Sequence, residues 1–227
     1  MRAAAMVGEA AAAAAAPLSR RADGKARVRA ALLRVARELF ARQGVAATTM
    51  DDIARRAGVS RATAFNYFPS KHLLLEVLVH EMEARFLRVI DAQLEQPASA
   101  AQRIAALFSW TAARVSEASR LSRVLIGASE TTFGAARDSG VRTQRVHRAL
   151  MRVLAAGQRE RNVRRDLSTE ILAEIVGGSY VGILHAWRVG RRYPLARRLD
   201  EAARALGQFM STGSGSDERA GSRASRR

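Results

Sequence analysis

The stretch TTMDDIARRAGVSRATAFNYFPSK, residues 48–71, begins with the pattern of a helix N-terminus. Thr49 is followed three residues later by Asp52, as in a capping box, where each side chain accepts a hydrogen bond from the backbone N–H of the other residue. The carboxylate also lies at the positive end of the helix dipole, where negative charge is stabilising. These residues predict a short helix from about Met50 to Ala57.

The same stretch continues with a turn and a second short helix. Gly58 predicts the turn, because glycine readily adopts the left-handed conformation that ends many helices. Ser60 is expected to cap the second helix. This helix must end at Phe68, because Pro69 disfavours helical geometry in the residue before it. Two short helices joined by a glycine turn have the proportions of a helix-turn-helix.

Apolar residues recur with helical spacing along the rest of the chain, and no alternating strand pattern of useful length occurs. The sequence therefore predicts an all-α fold of about nine helices. Apart from the two short helices, the predicted helices span approximately residues 25–43, 71–95, 99–117, 121–136, 141–161, 168–189 and 194–210.

Composition divides the chain into four parts. Residues 1–24 form an Ala-rich extension and residues 212–227 a basic Ser/Gly/Arg tail, and both are expected to be disordered. Between them lie the helix-turn-helix domain, residues 25–71, and a larger helical domain, residues 72–211. Charged residues interrupt every apolar run before the roughly 20 residues that a membrane span needs, so we expect a cytoplasmic protein without a membrane partner.

Basic residues are concentrated on the predicted helix-turn-helix. The whole chain has 38 Lys and Arg against 21 Asp and Glu, a formal net charge of +17, which favours a polyanionic partner. The segment from Lys25 to Lys71 alone contains ten basic and three acidic residues. Positive charge clustered on such a motif indicates double-stranded DNA as the partner.

The sequence does not support catalysis or a bound metal. It contains no cysteine, which excludes a thiol nucleophile and a disulfide. It has no phosphate-binding glycine loop, catalytic triad or nucleophile elbow. Its four histidines are scattered, without the spacing of a metal site. We therefore expect no enzymatic activity, no cofactor and no metal.

The second short helix is the candidate for reading DNA sequence. Arg61 can pair bidentately with guanine, and Asn66 can pair in the same way with adenine. Ala62 and Thr63 are small enough to meet the methyl group of thymine. This combination of reach and small size predicts a helix that lies in the major groove.

Several segments together resemble the DNA-binding signature of the TetR/AcrR family. They are ARELF (36–40), TTMDDIA (48–54), AGVS (57–60) and FNYFPSK (65–71). The resemblance covers about residues 25–82. It implies an N-terminal three-helix DNA-binding head and a larger effector-binding and dimerisation body. It also implies repression at a palindromic operator that a small molecule relieves.

Position by position, the resemblance assigns DNA contacts to residues of both short helices. They are Thr49, Ser60, Arg61, Ala62, Thr63, Phe65, Asn66, Tyr67 and Lys71. Tyr67 and Lys71 are expected to hold phosphates, which would position the protein without reading sequence. Phe65 stands where the family commonly has tyrosine. Because phenylalanine has no hydroxyl group for a phosphate, it is expected only to pack.

The body contains apolar and polar side chains that could line a ligand cavity, although each is also compatible with ordinary core or surface packing. The candidates are Phe86, Phe108, Trp110, Phe133, His147, Met151, Tyr180 and His185. Such a mixture favours an apolar or cationic amphipathic small molecule as the effector.

The helix predicted over residues 168–189 is apolar around most of its circumference, which is more than one core face requires. With the last helix, it is expected to form a four-helix bundle between two copies of the chain. The alternative is a hairpin that is fully buried within a monomer. The candidate interface residues are Ile175, Gly178, Gly182, Leu199 and Leu206.

Three functional hypotheses follow from these patterns. The first is a homodimeric repressor released from its operator by an effector. The second is an architectural protein that coats DNA nonspecifically through its net charge. The third is a regulator that activates transcription or has no effector. The large helical body favours the first over the second, because coating DNA does not require one.

Overall fold

The computed structural model describes residues 2–117, 119–132, 137–190 and 192–211. Side chains are described for residues 23–117, 120–129, 144–190 and 192–211. Over these ranges the chain forms nine α-helices and no β-strand, which confirms the predicted all-α fold. The predicted tail, residues 212–227, lies outside the described residues.

The helices follow the predicted order, and the largest difference in extent is at the N-terminus. Their bounds are α1 Arg2–Gln43, α2 Met50–Ala57, α3 Arg61–Tyr67, α4 Lys71–Leu94, α5 Ala100–Glu117, α6 Ser119–Thr132, α7 Arg137–Arg159, α8 Thr169–Val189 and α9 Leu195–Met210. Residues 2–24 belong to α1, whereas the sequence predicted a disordered extension there. The many alanines of this segment favour the helix, because alanine has the highest helix propensity of all residues.

The chain divides into two compact units, residues 1–78 and 79–227. The boundary therefore falls inside α4, whereas composition placed it between residues 71 and 72. Leu74 and Leu78, on the first turns of α4, are buried side chains of the first unit. Burial of these two leucines explains why the unit extends beyond the helix-turn-helix itself.

The core of the first unit joins α1, α2 and α3. Leu39 and Phe40 of α1 are buried, as are Ile53 and Ala54 of α2. The hydroxyl group of Thr48, which is also buried, donates to the carbonyl of Gly44 at 2.7 Å and satisfies the turn between α1 and α2. The first unit is therefore a small three-helix core extended by the start of α4.

The second unit packs its helices around one apolar core. The largest fully buried side chains of this core come from α4, α5, α7, α8 and α9, and include Ile90, Ile104, Phe108, Leu154, Leu172, Leu199 and Met210. None of the described helices is long and apolar enough to cross a membrane.

Arg103 of α5 is a buried cation that holds three helix ends together. Its Nε donates to the carbonyl of Gln93 and its Nη2 to the carbonyl of Gln96, both at 3.1 Å. Its Nη1 and Nη2 also pair with the carboxylate of Glu160, just after α7, at 3.2 Å. Because a buried charge is costly unless it is paired, this network fixes the end of α4 relative to α5 and α7.

Candidate nucleic-acid interface

Thr49 and Asp52 form the capping box that the sequence predicts at the start of α2. The Thr49 hydroxyl accepts from the Asp52 backbone N–H at 3.1 Å, and the Thr49 N–H donates to the Asp52 carboxylate at 3.3 Å. The same hydroxyl donates to the Asp52 carboxylate at 2.6 Å. This hydrogen bond, together with the Thr49 N–H and the nearby Arg55 guanidinium, lowers the pKa of Asp52. The hydroxyl proton of Thr49 is therefore already used within the cap.

Gly58 turns the chain between α2 and α3. Its φ of 70° and ψ of 30° place it in the left-handed region, where a side chain would be strained. The Gly58 N–H donates to the carbonyl of Arg55 at 3.3 Å, and the Val59 N–H donates to the carbonyl of Ala54 at 3.1 Å. These bonds satisfy the last carbonyls of α2 and fix the direction in which α3 starts.

Ser60 caps α3 as predicted. Its side-chain oxygen accepts from the Thr63 N–H at 3.0 Å, and the Ser60 and Thr63 hydroxyl oxygens lie 2.8 Å apart. One hydroxyl proton is used between the two side chains, so the other remains available for a phosphate oxygen.

Three of the four sequence-predicted base readers share one exposed face of α3. Arg61, Ala62 and Asn66 are exposed, and Phe65 between them is half-buried. On the opposite side of the helix, Ala64 is fully buried in the first unit. The two remaining candidates on α3, Thr63 and Tyr67, are half-buried.

Two groups contact the Arg61 side chain, and sequence reasoning identified neither contact. The Nε atom of Arg61 lies 3.2 Å from the Oδ1 atom of Asp51 in an ion pair. The guanidinium carbon lies 5.4 Å from the centroid of the Phe65 ring, within the range of a cation–π interaction. The sequence showed Asp51 only as one of three acidic residues in a basic segment. Its contact with Arg61 could not be predicted, because it depends on how α2 and α3 cross.

Lys71 has a different role from the phosphate contact that the sequence suggested. Its ammonium group donates to the carbonyls of Val45 and Thr48 at 2.8 Å and of Ala46 at 3.1 Å. An ammonium has three N–H donors, and all three are used here. Lys71 therefore closes the turn between α1 and α2 from the start of α4.

The body contains an aromatic cluster formed by four of the predicted ligand-site residues. The Tyr180 ring centroid lies 5.2 Å from that of Phe86 and 5.4 Å from that of Phe108, and Phe86 lies 6.5 Å from Trp110. The Tyr180 hydroxyl lies 3.2 Å from that of Thr111, which donates to the carbonyl of Leu107 at 3.0 Å. Tyr180 is therefore the donor to Thr111, and burial raises the pKa of the Tyr180 phenol to about 12.

The other predicted ligand-site residues are distributed differently. Met151 is partly buried and packs against the core of the second unit. His147 is half-buried on α7, whereas His185 is exposed on α8. Phe133 lies outside the described residues.

An apolar stripe runs along the exposed side of α8. Ile171, Ile175 and Val181 remain 44%, 36% and 45% exposed, respectively. A Cβ atom added at Gly178 or Gly182 would meet no atom within 4 Å, so the helix backbone is accessible there. These five residues define the α8 stripe.

The two predicted interface residues of α9 belong to the core instead. Leu199 is completely buried and Leu206 nearly so, within one chain. The apolar repeat of α9 is thus directed into the second unit, and the exposed apolar residue on this helix is Phe209. Neither leucine is available to a partner.

No group of three or more potential metal ligands occurs among the residues whose positions are described.

Comparison with known protein families identifies the first unit. The family described as bacterial regulatory proteins, tetR family, matches residues 32–78. A transcriptional repressor of Mycobacterium tuberculosis is 34% identical over 80 residues, which is 35% of this chain and 42% of that protein. The regulator BetI of Rhizobium meliloti is 37% identical over 79 residues, 35% of this chain and 39% of that protein. The chain thus matches about two fifths of the length of these curated relatives.

Solved structures share the fold over most of the chain. The complex of SmeT with triclosan has a TM-score of 0.68 at 20% identity, covering 83% of this chain and 93% of that one. SmeT is the repressor of a multidrug efflux pump of Stenotrophomonas maltophilia. FadR from Bacillus subtilis, in complex with stearoyl-CoA, has a TM-score of 0.68 at 17% identity, covering 79% and 98%. At these identities the likeness concerns the fold alone.

The three hydrogen bonds from the Lys71 ammonium to the turn between α1 and α2 lead to a testable prediction. Lys71→Met keeps the length of the side chain but removes the three donors, and leaving the carbonyl of the buried Thr48 unpaired costs about 1–3 kcal/mol. We expect faster amide hydrogen exchange over residues 45–57, measured by mass spectrometry. Arg42→Met, which removes an exposed cation of the same unit, should leave that exchange unchanged. If Lys71 instead contacted a phosphate, the substitution would leave exchange unaffected. It would reduce the slope of log affinity for random DNA against log salt concentration by about 0.9.

Proposed function

Because residues 32–78 match the family described as bacterial regulatory proteins, tetR family, we propose that this chain is a regulator of that family and represses transcription by binding operator DNA through α3. The exposed face of α3 carries this proposal, since Arg61 and Asn66 project from a helix that is capped at Ser60 and packed through Ala64. The related proteins of known description are transcriptional regulators, which supports this proposal.

The dimensions and chemistry of α3 suit a major groove. Seven residues span about 10 Å at the helical rise, and the groove is about 12 Å wide. A guanidinium can donate to both O6 and N7 of guanine, and a side-chain amide can pair with N6 and N7 of adenine. Arg61 and Asn66 would thus supply sequence discrimination. The surrounding basic residues of the first unit would supply affinity for the phosphates.

Substitution of the readers separates specific from nonspecific binding. We expect Arg61→Ala and Asn66→Ala each to weaken binding to a preferred duplex by about 1–3 kcal/mol, with a smaller effect on random DNA. The duplex would be selected by the unmodified protein from a random-sequence pool, and affinities measured by fluorescence anisotropy at fixed salt. Arg55→Ala is the matched control, because it also removes one exposed arginine, on the last turn of α2, but not a predicted base reader. An equal loss on both DNAs for Arg61→Ala would instead favour nonspecific coating.

We propose that the α8 stripe forms the interface of a homodimer. Its members recur every three to four residues, so they lie along one side of the helix. Contiguous apolar surface of this kind is uncommon on monomers and marks interaction sites. The open space at Gly178 and Gly182 would let a second α8 approach closely. A two-fold dimer would also match the symmetry of a palindromic operator.

A charge placed within the stripe should dissociate the dimer. We expect Gly178→Glu to yield monomers in sedimentation velocity runs at micromolar concentration, because the carboxylate would be buried without a partner. Tight binding to the selected duplex should be lost as well. Ala105→Glu adds the same charge at an exposed position on α5 and should remain dimeric. A monomeric parent protein would contradict the proposal directly.

We further propose that an amphipathic small molecule binds at the aromatic cluster and lowers affinity for DNA. Phe86, Phe108 and Trp110 offer apolar contact area, and the Tyr180 oxygen, whose proton is donated to Thr111, offers a lone pair as acceptor. Proteins of the same fold have been solved with lauroyl-CoA, stearoyl-CoA and triclosan, all of which combine an apolar part with a polar group. The ligand can release DNA only if it prefers a conformation that binds DNA less well.

Fluorescence of Trp110 provides the test of effector binding. In a Trp187→Phe background Trp110 is the sole tryptophan, so titration with stearoyl-CoA or triclosan reports directly on the cluster. We expect the bound ligand and the selected duplex to weaken each other by the same factor, because coupling between two sites is reciprocal. Tyr180→Phe should reduce ligand affinity several-fold and leave binding to DNA in the absence of ligand unchanged. A ligand that binds without changing DNA affinity would exclude the switch.

A further inference from the structure

Arg61 lies between the Asp51 carboxylate and the Phe65 ring. We propose that Asp51 is a positioning residue that orients the Arg61 guanidinium for guanine. The inference rests on the proposed role of α3 as the reading helix. It gives a purpose to an acidic side chain located in an otherwise basic DNA-binding surface.

The ion pair leaves the recognition edge of Arg61 available. Asp51 lies against Nε, at 3.2 Å. Within the described part of the chain, the terminal Nη1 and Nη2 atoms of Arg61 make no hydrogen bond or ion pair. A guanidinium reads guanine with two N–H groups that project in parallel. Holding Nε while the terminal nitrogens stay unpaired is the arrangement that bidentate recognition requires.

The Phe65 ring supplies the second constraint. It lies against the guanidinium at 5.4 Å and is itself held half-buried on α3. A flat ring favours a stacked orientation of the planar guanidinium. The phenylalanine therefore does more than pack, since it restricts the plane in which Arg61 meets a base pair.

These contacts are weak as sources of stability but effective as constraints. Arg61 is 70% and Asp51 53% exposed, and ion pairs between exposed groups contribute little to folding. Immobilising a long side chain on binding, however, reduces affinity by about two- to tenfold. When Asp51 and Phe65 order Arg61 in the free protein, most of that cost is already met before DNA binds.

The negative charge of Asp51 is expected to weaken binding to random DNA, although its contact with Arg61 favours specific binding. A carboxylate near the phosphate backbone repels it, so neutralising Asp51 should strengthen nonspecific binding. Loss of the Arg61 orientation should at the same time weaken discrimination between the preferred duplex and random DNA. A merely repulsive acid would change both affinities by the same factor and leave their ratio unchanged.

The test compares Asp51→Asn with Glu38→Gln in the full chain. Both substitutions remove one negative charge from the first unit, but Glu38 pairs with Arg34 and Arg56 rather than with Arg61. With the duplex selected by the unmodified protein, we expect Asp51→Asn to lower the ratio of specific to random affinity by about two- to tenfold. Glu38→Gln should leave the ratio unchanged, and Phe65→Leu should lower it without altering the net charge. An unchanged ratio in Asp51→Asn overturns the proposal.

A double-mutant cycle assigns the effect to Arg61. In an Arg61→Ala background, Asp51→Asn should have no further effect on the ratio, because the group that it orients is absent. A full further loss in that background would overturn the proposal, since Asp51 would then act through another group. The proposed function fails separately, if Arg61→Ala alone leaves the ratio unchanged.

Discussion

The first unit depends on one constraint, which is that a seven-residue helix is too short to be stable by itself. Helix α3 exists because its surroundings hold it. Ser60 satisfies its first amides, and Ala64 and Phe68 are buried against the three-helix core. The left-handed turn at Gly58 sets its direction, and Pro69 stops it. The exposed surface of α3 is therefore a product of tertiary packing, and rigidity there would reduce the entropy lost in the proposed binding to DNA.

Charge acts at two levels in this protein. The net charge of +17 attracts any polyanion and carries no sequence information. Discrimination requires particular groups in fixed orientations, and the structure supplies these by pairing some cations and leaving others available. All three donors of the Lys71 ammonium bind backbone carbonyls, whereas the terminal nitrogens of Arg61 form no hydrogen bond or ion pair with the described residues. Of these two basic residues, Lys71 thus stabilises the first unit from within, whereas Arg61 stays exposed on its surface.

Helix α8 of the second unit carries apolar side chains on two sides, and only one of these sides is buried within the chain. Leu172, Val176 and Leu184 face the core, while the α8 stripe on the other side stays exposed. Helix α9 differs, because Leu199 and Leu206 are buried by contacts within the same chain. In the aromatic cluster, the hydroxyl groups of Tyr180 and Thr111 pair with each other. The exposed apolar side chains of the second unit therefore include those of the α8 stripe, whereas the aromatic cluster combines apolar rings with a pair of hydroxyl groups.

The amino-acid sequence by itself determined the helices, the caps at Thr49 and Ser60, and the exposed face of α3, because these depend on residues within about four positions of each other. Only the tertiary structure decided the partners of Asp51 and Lys71. Asp51 contacts a residue 10 positions away, and Lys71 contacts residues 23 to 26 positions away. It also decided that Leu199 and Leu206 face inward and that His185 does not. Helical periodicity shows which residues share a face, but not what that face meets. The crossing of helices distant in sequence is set by packing, and no local pattern encodes it.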